Sequence, residues 1–154
     1  MSMTGYFEIS VSCNCHDVEL MVIGTPMARA YCHCSSCREL YDLPVLSAAA
    51  WAHESVRIVK GHEFVGKFKH PDKQMERHFC RSCGTTVFGT NRIDLTIIRT
   101  SLLAKAMGED FQETLKPEFH LFYSQREIAI DDGLPKYLEG WDGPLFSSGA
   151  PTES

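Results

Sequence analysis

The stretch GYFEISVSCNCHDVELMVIG, residues 5–24, alternates apolar and polar side chains on either side of a Cys13-Asn14-Cys15-His16 turn. Side chains along a strand point to opposite faces with period two, so 5–13 and 17–24 read as paired strands and the cysteines as the tip of their hairpin. The same rhythm recurs along the chain. LPVLSAAAW (43–51), ESVRIVKG (54–61), EFVGKFKH (63–70), MERHFC (75–80), TTVFGT (85–90), DLTIIRT (94–100) and PEFHLFYSQ (117–125) are further strand segments, the last after a less regular stretch. SSCREL (35–40) and SLLAKAM (101–107) alone look helical. Gly61, the Pro71-Asp72 pair and Gly84 punctuate the series, which predicts a mainly β domain with few short helices. Residues 1–146 are expected to form one domain and 147–154, ending in SSGAPTES, a disordered tail.

Composition narrows the classes of function. The chain has 154 residues, 44% hydrophobic and 23% charged, enough for a buried core. A formal net charge of -5 with scattered basic residues argues against nucleic acid and anionic membrane as partners. MSMTGYFEIS lacks the charged lead and apolar run of a secretory signal, and no stretch reaches transmembrane length, so the expected location is the cytoplasm.

The seven cysteines carry the chemistry. They fall as Cys13 and Cys15, then Cys32, Cys34 and Cys37, then Cys80 and Cys83. Clustered thiols in a reducing compartment point to metal rather than to disulfides. RSCG at 81–84 completes a knuckle that offers two thiolates, Cys80 and Cys83, from one turn, and a second pair can close the tetrahedron. If that pair is Cys13 and Cys15, then YCHCSSCREL (31–40) is left with three ligands and an open fourth place. Cys80 and Cys83 serving the triplet's metal instead is the alternative. His16, His33 or His78 is a further possible ligand to the triplet. Thiolate-rich sets suit zinc or iron–sulfur better than copper, and zinc is the expected ion.

These stretches, CNCHDVEL, YCHCSSCREL, ERHFCRSCGTTVF, EFHLF and DDGLP, resemble the glutathione-dependent formaldehyde-activating enzyme (GFA) family, to which centromere protein V is related. The resemblance runs from about Cys13 to Pro135. It implies a β-tent fold of antiparallel sheets joined by a structural zinc on Cys13, Cys15, Cys80 and Cys83, and a second zinc, associated with catalysis, on Cys32, Cys34 and Cys37. It also implies a carbon–sulfur lyase, whose small-molecule substrates would be glutathione and formaldehyde, joined as S-(hydroxymethyl)glutathione.

Two positions depart from the family pattern. Asp42, within RELYDLP, and His16 stand where the family commonly has Gly, and Glu39 and Asp42 would bring negative charge beside the triplet unless they cap or solvate a short helix. Arg38 and Arg81 are the candidate charge-compensating donors for the thiolates. Tyr41 is a candidate pocket or packing residue, and His120 matches a family F-H pair without an evident role. Trp51, Phe68, Phe79, Phe88, Phe119 and Phe122 are assigned to the core. Three classes of function follow: a lyase acting on a thiol adduct, a non-catalytic zinc-binding or thiol-sensing protein using the open site, and a zinc module for nucleic acid or protein, which the acidic balance disfavours. The residues leave the oligomeric state open.

Overall fold

The computed structural model describes residues 7–91, 93–141 and 143–147; the expected tail beyond Ser147 lies outside them. β1 (Glu8–Ser12) and β2 (Glu19–Ile23) form the anticipated hairpin, with Ser12 opposite Glu19. The period-two pattern is met in full: Ile9, Val11, Leu20 and Val22 are buried, and Glu8, Ser10 and Ile23 face outward. β5 (Val56–Lys60) pairs with the free edge of β2, giving a three-stranded sheet of order β1-β2-β5.

The second sheet holds β3 (Ala28–Cys32), β4 (Leu46–Ala52), β6 (Val65–Lys69), β7 (Glu76–Cys80), β8 (Thr86–Thr90), β9 (Leu95–Arg99) and β10 (Phe119–Leu121). Its order among the described residues is β10-β3-β4-β9-β8-β7-β6. Every pair in it is antiparallel except β10 with β3, which is parallel and departs from the all-antiparallel expectation. The helices are α1 (Ser35–Tyr41), α2 (Thr100–Met107) and α3 (Asp110–Thr114). The mainly β class with few short helices is the one read from the sequence.

β3 and α3 are additions to that reading. β3 escapes a hydrophobicity pattern because its apolar positions are small: Ala28 and Ala30 lie opposite Ala50 and Ala48 of β4, so its identity comes from its partner. Its Arg29 bonds the Thr114 carbonyl and pairs with Glu118, tying the strand to the segment that leads into β10.

The main core lies between the two sheets and α2 and α3. Trp51, Val87 and Ile98 from the large sheet meet Val11, Leu20 and Val22 from the small one and Leu103 and Leu115 from the helical segment. The Trp51 indole N–H reaches the Gly24 carbonyl at 3.0 Å, which pins β4 to the end of β2. Of the other aromatics assigned to the core, Phe79, Phe88, Phe119 and Phe122 are half-buried, and of these Phe88 packs against the main core. Phe68 is a correction: it lies on edge strand β6 and is 45% exposed. A smaller cluster gathers Leu40, Tyr41, Leu46, Met75 and Ile97 around Cys37. Tyr41 is a packing residue, and Gly89 is required opposite it, since a β-carbon there would stand 2.4 Å from the Tyr41 hydroxyl.

Both departures from the family's glycines fall at left-handed backbone positions. Asp42 has φ +55 and ends α1, its N–H capping the Arg38 carbonyl, while His16 has φ +68 in the β1–β2 turn. Glycine is the usual residue at such places because it lacks the β-carbon that crowds the carbonyl, and Asp tolerates them better than most side chains. The family glycine therefore answers a backbone need, and Asp42, exposed at the helix end, meets it. Asp42→Gly should leave stability unchanged or raise it by up to about 1 kcal/mol, whereas Asp42→Val should lose about 1–2 kcal/mol. Urea unfolding of the two variants checks this; equal losses would show that the carboxylate itself is required.

Candidate metal centres

The two hairpin tips meet. Cys13 and Cys15 come from the β1–β2 turn of the small sheet, and Cys80 and Cys83 from the β7–β8 turn of the large one. Their four sulfurs lie within 4.8 Å of one another and can hold a metal ion. Cys15 Sγ is 3.7 Å from both Cys13 Sγ and Cys80 Sγ, far beyond the disulfide length of about 2.05 Å. The spacing is close to the edge of about 3.8 Å expected for a tetrahedron of thiolates each about 2.3 Å from a zinc-sized ion. Local backbone explains how each sulfur is aimed. The Val18 N–H points at Cys13 Sγ (3.3 Å), and the Cys80 N–H bonds the Thr85 carbonyl (2.9 Å). Gly84, at φ +83, lets the knuckle close, its N–H on the Cys80 carbonyl at 2.8 Å. The Thr85 hydroxyl bridges the two tips, accepting from the Asn14 N–H at 3.1 Å and lying 3.1 Å from Cys83 Sγ.

Cys32, Cys34 and Cys37 form a separate set whose sulfurs also lie within 4.8 Å, with Cys32 and Cys34 3.5 Å apart. Cys32 ends β3, Cys34 is the N-cap of α1, and Cys37 lies one turn into that helix. The structure thus resolves the alternative pairing: Cys80 and Cys83 sit with Cys13 and Cys15. His16, His33 and His78 belong to neither set, so the triplet offers three candidate ligands, all cysteines, among the described residues.

Crowded sulfurs cannot all ionise without a cation. In the triplet, the thiols of Cys32 and then Cys37 hydrogen-bond to Cys34 and bring it down to about 3, with help from the Cys37 and Ser36 backbone N–H groups. Cys32, pressed by its bond to Cys34, is pushed up to about 12, and Cys37 is raised by both neighbours and by burial. In the four-sulfur set, the Asp17 N–H favours the Cys15 thiolate, yet desolvation and the surrounding sulfurs outweigh it and push that thiol up to about 12. Each set therefore keeps protons that a metal ion would displace.

The donors facing the triplet are backbone N–H groups, not the arginines anticipated. Arg38 turns to the outside of the loop, its Nε on the His33 carbonyl (3.0 Å) and its two terminal nitrogens on Glu127 (3.1 Å) and the Gln125 carbonyl (3.2 Å). Arg81 is exposed. Glu39 is exposed as well and faces Lys73 at 3.9 Å. Met75, which sequence reading passed over, places its thioether 3.5 Å from Cys37 Sγ. Met75 also lines a small groove, together with Ser36, Leu40, Glu39, Phe68, His70 and Lys73.

Behind the triplet runs a buried hydrogen-bonded row. His33 Nε2 is 2.8 Å from His120 Nδ1, and His120 Nε2 is 2.8 Å from Asp132 Oδ2. Lys136 Nζ and the Leu134 N–H bond Asp132 Oδ1 at 3.0 and 3.1 Å. Burial lowers His33 to about 4 and lowers His120, so both rings are neutral at physiological pH. Burial alone would raise Asp132, but its bonds to His120 and Lys136 prevail and bring it to about 2. His120 had a pattern but no role in the sequence. Asp132 and Lys136 were visible only as part of DDGLP and the residue after it.

Residues 8–125 match the family described as glutathione-dependent formaldehyde-activating enzyme, a span that includes all seven cysteines and stops short of Asp132. A Schizosaccharomyces pombe protein named as an uncharacterized lyase is 31% identical over 81 residues, 53% of this chain and 56% of that protein. The chain thus spans little more than half the length of this curated relative. A Rhodobacter sphaeroides protein of known crystal structure is similar in fold, with a TM-score of 0.52 at 22% identity over 68% of this chain and 96% of that one. With the match covering well over half of its length, the chain belongs to the glutathione-dependent formaldehyde-activating enzyme family.

Proposed function

We propose that this protein is a zinc-dependent carbon–sulfur lyase that joins a thiol to a small aldehyde and cleaves the adduct, with glutathione and formaldehyde the first pair to test. The observation that carries the reading is the division of sulfurs, four in one set and three in another. A closed set of four leaves no room for substrate, whereas three ligands leave a place for one. Family membership and the lyase name of the fission yeast relative support the class of reaction.

In this reading Cys13, Cys15, Cys80 and Cys83 would hold a structural zinc, and Cys32, Cys34 and Cys37 a second one. Zinc bound at the triplet would supply the positive charge that keeps a coordinated thiol ionised at neutral pH. The chain's own residues do the rest. Backbone N–H groups of Ser36 and Cys37 offset charge on Cys34, and buried Met75 and Leu40 exclude water beside Cys37. In adduct formation the substrate sulfur attacks the aldehyde carbon, the carbonyl π pair moves to oxygen and that oxygen takes a proton; cleavage reverses each transfer. The groove that Met75 lines offers Lys73 and His70 to the anionic remainder of the thiol, and Glu39 is already offset by Lys73. Seven unpaired thiols suit the cytoplasm, and among the described residues no helix is long and apolar enough to cross a membrane.

Exchange NMR of glutathione with formaldehyde should show faster interconversion on adding the zinc-loaded protein, and Cys34→Ser should abolish the gain. An unchanged rate with wild type would leave a non-catalytic zinc-binding or thiol-sensing protein. Lys73→Ala should raise KM for the thiol several-fold while kcat holds; the reverse split would remove the groove from the reading. Because two triplet thiols remain protonated at neutral pH, zinc affinity there should fall about 100-fold for each pH unit lowered. Chelator competition at pH 6.5 and 7.5 measures it, and a pH-independent affinity would contradict the protonation pattern.

A further inference from the structure

The row behind the triplet has a direction. The Asp132 carboxylate already accepts from the Leu134 N–H and the Lys136 ammonium, and as an ionised group it can only accept from His120. His120 therefore carries its proton on Nε2. Its Nδ1 is left with a lone pair, so the 2.8 Å contact to His33 requires the proton on His33 Nε2. One carboxylate thus sets both tautomers. The other nitrogen of His33, Nδ1, is left as a bare acceptor, fully buried and without a partner among the described residues. An unpartnered buried acceptor costs about 1–3 kcal/mol, so the row is not arranged for stability alone.

His33 stands between Cys32 and Cys34, and the row is one of several fastenings on this short loop. The His33 N–H donates to the Leu121 carbonyl at 3.0 Å, and β10 lies parallel to β3 with His120 in register with Tyr31. The His120 ring stacks on Tyr31 at 4.8 Å and on His33 at 5.1 Å, and Tyr123 meets His33 edge-on at 4.9 Å. The backbone of His120 is held in turn by Pro135 and Tyr137 (both 2.9 Å), the residues flanking Lys136. On the outer side Arg38 clamps the His33 carbonyl to Gln125 and Glu127.

We propose that Asp132, acting through His120 and His33, is a positioning residue for the three-thiolate site: it fixes the tautomer and orientation of His33 and so holds Cys32 and Cys34 at the spacing a metal ion requires. This rests on the reading of the triplet as a metal site. Carboxylates and histidines behind a metal's ligands generally act in this way, and their removal weakens the metal by about 10- to 100-fold. Here the braced element is the ligand-bearing backbone.

The test uses the full chain and cobalt(II) ion as the probe, since sulfur-to-cobalt charge-transfer bands count the thiolate sites and the second set serves as an internal control. Wild type should bind two equivalents. Asp132→Ala and His120→Phe should weaken one equivalent about 10- to 100-fold and leave the other as in wild type, and His120→Gln, which can still accept and donate, should recover most of the loss. Parallel weakening of both sites would mark a general loss of structure and overturn the proposal, as would full retention of both. A single equivalent bound by wild type would overturn the metal reading of the triplet itself, and this proposal with it. Asp132→Asn, which keeps the shape but can reverse the row, gives a readout independent of folding. Nitrogen-15 NMR of the histidines should find both rings as Nε2–H in wild type and a changed tautomer in that variant. His33 protonated on Nδ1 in wild type would refute the assignment.

Discussion

Two hairpin tips, one from each sheet, bring four sulfurs to a common centre, and the rest of the molecule is arranged around that junction. Cys13 and Cys80 are buried members of the main core, while Cys15 and Cys83 reach it from the exposed side. The cluster therefore closes the end of the inter-sheet core where neither sheet alone supplies enough side chain. Without a cation the same four groups repel one another's ionised forms, as the raised Cys15 thiol shows. A bound metal ion would convert that repulsion into the strongest link between the sheets, and its binding free energy would count as folding free energy.

The triplet is held by a different logic. Its three sulfurs come from six consecutive residues that cross from β3 into α1, a stretch too short to rigidify itself. What holds it is borrowed. The segment from Phe119 to Lys136 lies along its back, through a parallel strand pair, a row of two histidines and a carboxylate, and the Arg38 clamp. On the other side Met75 and Leu40 pack against Cys37. A rigid ligand loop is what an open metal position needs, because an ion with three ligands cannot impose the geometry that four ligands impose.

The hairpins and the three tight cysteine groups were legible because each depends on near neighbours: alternation for the strands, tight turns for the C-x-C and C-x-x-C pairs; which groups join came from the family resemblance, since Cys15 and Cys80 lie 65 residues apart. β3 was not, since its alanines carry little hydrophobic signal and become a strand only beside the alanines of β4. The role of His120 was hidden for a related reason. Its partners lie 87 residues before it and 12 after, and no local pattern announces a contact at such a distance. Arg38 shows the converse error: adjacency to Cys37 suggested compensation of its charge, whereas α1 turns the guanidinium toward Glu127. The glycine positions occupied by His16 and Asp42 are visible in the sequence, where Asp42 is weighed for its charge beside the triplet, whereas φ +68 and φ +55 make both of them matters of backbone shape.

The parallel pairing of β10 with β3 has a consequence for how the molecule is made. The bonds that brace the triplet join residues 87 to 90 positions apart, against 65 for the Cys15–Cys80 contact of the other cluster. Loops of that length close slowly, and contacts of high sequence separation form late. During synthesis the four-sulfur junction is complete once Cys83 has emerged, while the triplet waits for Lys136. In that interval the three thiols lie on a nascent chain without the segment that braces them, so oxidants can reach them before the fold that holds them together is complete.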